Sequence, residues 1–203
     1  FQQLPSCLVG IEACASSHYW SRELQALGHA VRLMPPAYVK PYIKRQKNDA
    51  ADAESICEAV TRANMRFVET KTPGQQSCLM LHRTRHLFIR QQTAVINAIR
   101  AHLAEFGIVA PVGRNGVEEL LGVVADPSDK RVPEVARTCL TALGAQLRIL
   151  KAQILEFDRM INAWHRANET SKRLDAIPGV GPALGTALVA SVPDPKTFRS
   201  GRD

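Results

Sequence analysis

No run of about 18 or more apolar residues occurs anywhere in these 203 residues, which excludes a membrane-spanning helix. The start, Phe1-Gln2-Gln3, has neither the charged region nor the apolar core of a secretion signal. It has no initiator methionine either. With the polar stop at Arg202-Asp203, this leads us to expect a fragment of a longer protein. No CxxC occurs among the five cysteines Cys7, Cys14, Cys57, Cys78 and Cys139. Odd in number and scattered, they argue against a metal or disulfide role. They are expected to be reduced, mostly buried small hydrophobes of a cytosolic protein. Acidic residues are missing altogether between Glu69 and Glu105. What is there is a 45% apolar composition, too high for a disordered chain, and a net charge of +7 with a pI near 9.4. A polyanionic partner is the natural complement of that charge.

The first 70 residues read as a βαβα segment, part of an α/β fold. Residues 7–12 form an apolar strand and Ser17 to Leu27 a helix, with Tyr19, Trp20, Leu24 and Leu27 at helical spacing, closed by Gly28. Ala30 to Met34 is a second strand stopped by Pro35-Pro36, and Asp49 to Ala63 a second helix with Ile56, Ala59 and Val60 on one face. Residues 71–167 are all-α. Gln75 to Phe106 carries an apolar seam of Leu81, Phe88, Val95 and Ile99. From Pro133 a second long helix repeats Leu140, Leu143, Leu147, Leu150, Ile154, Phe157, Ile161 and Trp164 three and four apart, a coiled-coil pattern. Two such helices with about 25 residues between them pair most simply as an antiparallel hairpin. The seam is also expected to join subunits, making a homo-oligomer. Residues 168–203 form a third segment, in which Ile177-Pro178-Gly179-Val180-Gly181-Pro182 leads into a small-residue helix, Ala183 to Ser191.

Three carboxylates attract attention. Glu12 ends the first strand. Asp49 and Asp52, at i and i+3, are neighbours on one helix face. A strand-end acid with such a pair is how a ribonuclease-H-like fold gathers oxygen ligands for Mg²⁺ or Mn²⁺, and Mg²⁺ needs few acids when a DNA phosphate supplies the rest. Lys44, Arg45 and Lys47 lie alongside, as expected where phosphate must meet a metal. Each acid also has a plain structural reading: Asp49 as a helix N-cap and Glu12 as a solvated strand end.

Arg83, His86, Arg90, Thr93, Asn97 and Arg100 recur three and four apart, opposite the Leu81/Phe88/Val95 seam. A cationic face without acids suits phosphate tracking; the alternative is an ordinary solvated face. His82 and His86, at i and i+4, lack the third ligand that zinc requires. Gly179 and Gly181 resemble the turn of helix-hairpin-helix modules. There, glycine permits positive φ and close approach, and the amides of the following helix bind a phosphate; a structural corner is the alternative.

Gly10-Ile11-Glu12-Ala13-Cys14, His18-Tyr19-Trp20, Leu27-Gly28-His29, Val39-Lys40-Pro41-Tyr42 and Lys47-Asn48-Asp49-Ala50-Ala51-Asp52-Ala53 follow one another in an order that resembles the DEDD transposases of bacterial insertion sequences. This is the insertion-sequence one-ten family, with its Piv-like invertases. Ile177 to Pro182, Asp194-Pro195 and Phe198 to Asp203 resemble the opening of that family's second domain. The resemblance implies a RuvC-like N-terminal domain with Glu12, Asp49 and Asp52 as three of its four metal-binding acids. The first Asp, on an earlier strand, is not in this sequence. It further implies strand cleavage and exchange on DNA, a nucleophilic serine beyond Asp203 (Ser200 lies before that stretch), a structured guide RNA, and a bacterial cytoplasmic location. Without the first Asp and the serine, the chain is expected to be inactive by itself. Two rival readings stay open: a structure-selective nuclease of RuvC type, and a non-catalytic nucleic-acid-binding or assembly protein.

Overall fold

The computed structural model describes residues 1–43, 48–198 and 200, with residues 114 and 197 as backbone only. The chain divides into two compact units, residues 1–76 with 189–203, and residues 77–188. Buried side chains fix residues 168–188 to the long helices, as described below.

The first unit is built on two parallel strands, β1 (Leu8–Glu12) and β2 (Ala30–Met34), with Leu8 opposite Ala30 and Glu12 opposite Met34. The helix α1 (Ser17–Ala26) connects them, and Gly28 makes the return at φ +88°. After β2 come α2 (Pro36–Val39), a 3₁₀ turn (Lys40–Tyr42) and α3 (Asp49–Val60). Pro35-Pro36 ends the strand as expected, and Pro36 also starts a helix, at a position where no backbone N–H is needed. Met34, Val39, Ala59 and Val60 form the buried centre, with Ile56, Met65 and Phe67 packed against it. The Val68 N–H donates to the Leu33 carbonyl at 2.8 Å, in an antiparallel bridge at the outer edge of β2.

On α1, Tyr19, Trp20 and Leu27 are about half exposed, whereas Ser17, Ser21 and Leu24 are buried. The two serines are small and bring their own partners: Ser17 Oγ donates to the Cys14 carbonyl at 2.9 Å, and Ser21 Oγ lies 2.7 Å from Thr70 Oγ1. The cysteine expectation is corrected. Only Cys78 is buried, while Cys7, Cys14, Cys57 and Cys139 are exposed free thiols.

The second unit holds most of α4 (Pro73–Ala104), then α5 (Arg114–Ala125), α6 (Glu134–Ala167), α7 (Glu169–Asp175) and most of α8 (Pro182–Ser191). The helix α5 falls where the sequence reads as a loop, since glycines and prolines punctuate it. Gly116 is required there, because a Cβ would collide with the Pro111 carbonyl oxygen. Val117, Leu120 and Val124 of α5 join Ile99 and Leu103 of α4 and Leu140 and Leu147 of α6 in one core. Further along, Phe88 meets Phe157 edge-on at 5.5 Å, and Arg85 pairs with Asp158 at 2.6 Å. Half of the eight-residue seam is buried within one chain: Leu140, Leu147, Leu150 and Ile161 are each no more than 2% exposed, while Leu143, Ile154, Phe157 and Trp164 are half-buried. Among the described residues no helix is long and apolar enough to cross a membrane.

Candidate active site and nucleic-acid surfaces

Side chains at alternate positions of a strand share a side, so Gly10 and Glu12 of β1 face the same way. A Cβ at Gly10 would lie 3.0 Å from both Ile56 and Val60 of α3. The helix thus packs on the Gly10 side of the strand, at a distance only glycine leaves open. Asp49, Asp52, Ile56 and Val60 recur three and four apart, on one helix face. The acid pair is consequently on the α3 face turned to β1, and Glu12 is on the β1 side turned to α3. Glu12 and Asp52 are half-buried and Asp49 is exposed.

The N-cap of α3 is Asn48, whose Oδ1 accepts from the Ala51 N–H at 2.8 Å. Asp49 is therefore the first helical residue and not the cap, which removes its capping alternative. Both aspartates still gain from the helix dipole in the first turn, a reason for acids there independent of chemistry. Buried Ser55 anchors the helix from behind, its hydroxyl 2.7 Å from the Ala51 carbonyl and 3.1 Å from that of Tyr42. Cys14 follows the acid-bearing strand, and hydrogen bonds from Ser16 hold its thiol below the ordinary range.

Carboxylate oxygens are the donors Mg²⁺ and Mn²⁺ prefer, so the chemistry of Glu12, Asp49 and Asp52 fits such an ion. Among the described residues no three of His, Cys, Asp or Glu gather closely enough to hold a metal. Lys44, Arg45 and Lys47 lie outside the described residues.

On α4 the structure divides the expected basic stripe. Arg83, His86 and Arg90 are exposed. Arg100 is committed elsewhere, donating to the carbonyls of Ala110 at 3.0 Å, Pro111 at 2.7 Å and Gly113 at 3.3 Å. It clamps the loop before α5 and is half-buried. His82 points inward, its Nε2 2.9 Å from Thr186 Oγ1, and burial together with Arg85 lowers its pKa. The two histidines of the i, i+4 pair thus face different surroundings.

Between α7 and α8, Pro178 and Gly179 occupy the central positions of a turn closed by Val180 N–H to Ile177 O at 2.9 Å. Gly179, at φ +87°, supplies the positive φ that this position of a type II turn requires. Nothing lies within 4 Å of a Cβ built on Gly181, so the start of α8 stays uncovered. Behind the turn, fully buried Ser171 lies 2.8 Å from His165 Nδ1. A Cβ at Gly185 would stand 3.1 Å from the Ser171 hydroxyl. His165, Ser171, Gly185 and Thr186 thereby fix the turn to the long helices. Sequence reading missed this group; histidines at a helix end and mid-helix beside small polar residues were its only signal.

A sequence-family model described as transposase, of the DEDD IS110 type, matches residues 2–108. A putative transposase of Sinorhizobium fredii is 48% identical over 204 residues, covering 100% of this chain and 52% of that protein. A probable family 20 transposase of Pseudomonas aeruginosa is 44% identical over 203 residues, covering 100% and 60%. The transposase for insertion sequence element IS1328 of Yersinia enterocolitica is 37% identical over 199 residues, covering 98% and 59%. The chain thus spans little more than half the length of the curated relatives it matches. Glu12, Asp49, Asp52 and the Arg83–Arg90 stripe all lie inside the matched residues, and the chain belongs to the DEDD transposase family of IS110 type.

Proposed function

We propose that this chain is part of a DNA transposase or recombinase of a bacterial insertion sequence, acting in the cytoplasm. Glu12, Asp49 and Asp52 are its metal-binding acids; Mg²⁺ or Mn²⁺ held there would stabilise charge on a scissile phosphate, whose oxygens and waters complete the shell. A serine that the family resemblance places beyond residue 203 forms the covalent link to DNA, and a structured RNA guides the choice of site. Lys44, Arg45 and Lys47, the exposed Arg83 and Arg90, and the Gly179–Gly181 turn bind nucleic-acid phosphate. The first unit is RuvC-like, α4 and α6 form an antiparallel coiled-coil hairpin, and the protein assembles into a dimer or larger. One observation carries it: the α3 face bearing the aspartate pair is turned to the strand side bearing Glu12, in a chain of this family.

The test is recombination by the full-length protein. Replacing Glu12, Asp49 or Asp52 by Ala abolishes it, while circular dichroism shows the fold retained. Normal recombination by Asp52→Ala overturns the reading. The 203-residue chain alone should not recombine DNA.

A further inference from the structure

The helices α4 and α6 meet at Phe88–Phe157 and share the core around Ile99 and Leu147. Between these two contacts they part around a groove of about 820 Å³, whose lining includes Gln92, Ile96, Asn97, Val117, Ile154 and Leu155. The charged groups at its rim are already spent. Asp158 accepts from Arg85 at 2.6 Å, Lys151 pairs with Glu118, and Arg100 holds three backbone carbonyls. What remains is apolar wall and two side-chain amides, those of Gln92 and Asn97, which make no hydrogen bond among the described residues.

Such a lining suits a neutral, flat group with apolar faces and a hydrogen-bonding edge. A charged ligand finds no free counter-charge there, and a purely aliphatic one leaves both amides unused. Asn97 also belongs to the face of α4 that carries Arg83 and Arg90, on a helix without a single acid. Charge complementarity therefore brings a polyanion to this face. We propose that the groove receives an unpaired nucleobase, hydrogen-bonded by Gln92 and Asn97, from a nucleic acid whose phosphates run along α4. The inference rests on the reading of α4 as a phosphate-binding surface. Base edges are recognised by side-chain amides in just this way, Asn and Gln pairing with adenine above all.

The experiment uses the 203-residue chain and two duplexes of equal charge, one with a single bulged adenosine and the other with an abasic residue at the bulge. The bulged adenosine should bind about tenfold more tightly, the discrimination typical of an amide–adenine pair. Gln92→Ala combined with Asn97→Ala, the first half-buried and the second exposed, should erase that preference and leave abasic affinity unchanged. A photoreactive base at the bulge should cross-link to peptides containing Gln92–Asn97 or Ile154–Leu155. Equal affinity for the two duplexes, or a preference that survives the double variant, overturns the base site. So does a dimer of this chain that dissociates on Leu155→Glu, since the groove then belongs to a second copy. If neither duplex binds, or if Arg83→Glu with Arg90→Glu leaves the salt dependence of binding unchanged, the reading of α4 fails and takes this inference with it. Equal affinity with a normal salt response sinks the base site alone.

Discussion

Gly10 sets the distance between the strand that carries Glu12 and the helix that carries Asp49 and Asp52. Any side chain there presses on Ile56 and Val60 at 3.0 Å and on Met34 at 3.2 Å. Overpacking of this kind costs about 1–3 kcal/mol. Gly10→Ala should therefore lower stability in urea by that amount, and Val60→Ala added to it should recover part of the loss by making room. A Gly10→Ala chain as stable as the parent would mean that α3 yields freely. At this scale the sequence was partly legible. The carboxylates stood out as residue types at a telling spacing, yet the cap belongs to Asn48 and not to Asp49. Asx residues next to one another cap equally well in principle, so only the backbone turn decides between them. Ser55, Ser171 and Gly185 were illegible because each acts through one tertiary contact that leaves no periodic mark.

The stripe on α4 shows the same limit among elements. Spacing placed Arg83, Arg90 and Arg100 on one face, but only the fold reveals that Arg100 turns to the loop at Ala110–Gly113. The three arginines are therefore expected to behave differently. Arg83→Glu with Arg90→Glu should flatten the salt dependence of DNA binding by about 0.9 log–log units per lost phosphate contact and leave stability nearly unchanged. Arg100→Ala should leave that slope intact and cost about 1–3 kcal/mol of stability, because loop carbonyls lose their donor. Salt titrations alongside thermal melts decide it; an Arg100→Ala slope change as large as that of Arg83→Glu would restore the unbroken stripe. The long helices α4 and α6 and both strands were legible because their apolar periodicity is sustained. The α5 helix was not, since Gly116 and Gly122 interrupt its pattern and its glycine requirement comes from the neighbouring loop.

For the whole molecule the seam of α6 has the widest consequence. Its regularity pointed to subunit pairing, and a coiled-coil pattern alone does not say which chain supplies the partner. Here α4 and α5 supply it from the same chain. Leu147→Glu puts an unpaired charge at a position that is 0% exposed, at a cost of several kcal/mol. It should lower the melting temperature by about 10 °C or more at every protein concentration, in place of producing a folded monomer. A well-folded variant with a smaller assembly, seen by light scattering, would return the seam to an interface between copies.

If the acids of β1 and α3 form the centre of a metal-dependent DNA-processing site, an ion bound there can be located on the backbone. Fe²⁺ supplied in place of Mg²⁺ to the chain bound to duplex DNA generates radicals that cut the nearby backbone on addition of ascorbate and peroxide. Cuts should be confined to the surroundings of Glu12 and of Asp49–Asp52, be suppressed by excess Mg²⁺ and be absent in Asp52→Asn. Cuts elsewhere, or cuts indifferent to Asp52→Asn, would place the metal, if any, outside these acids.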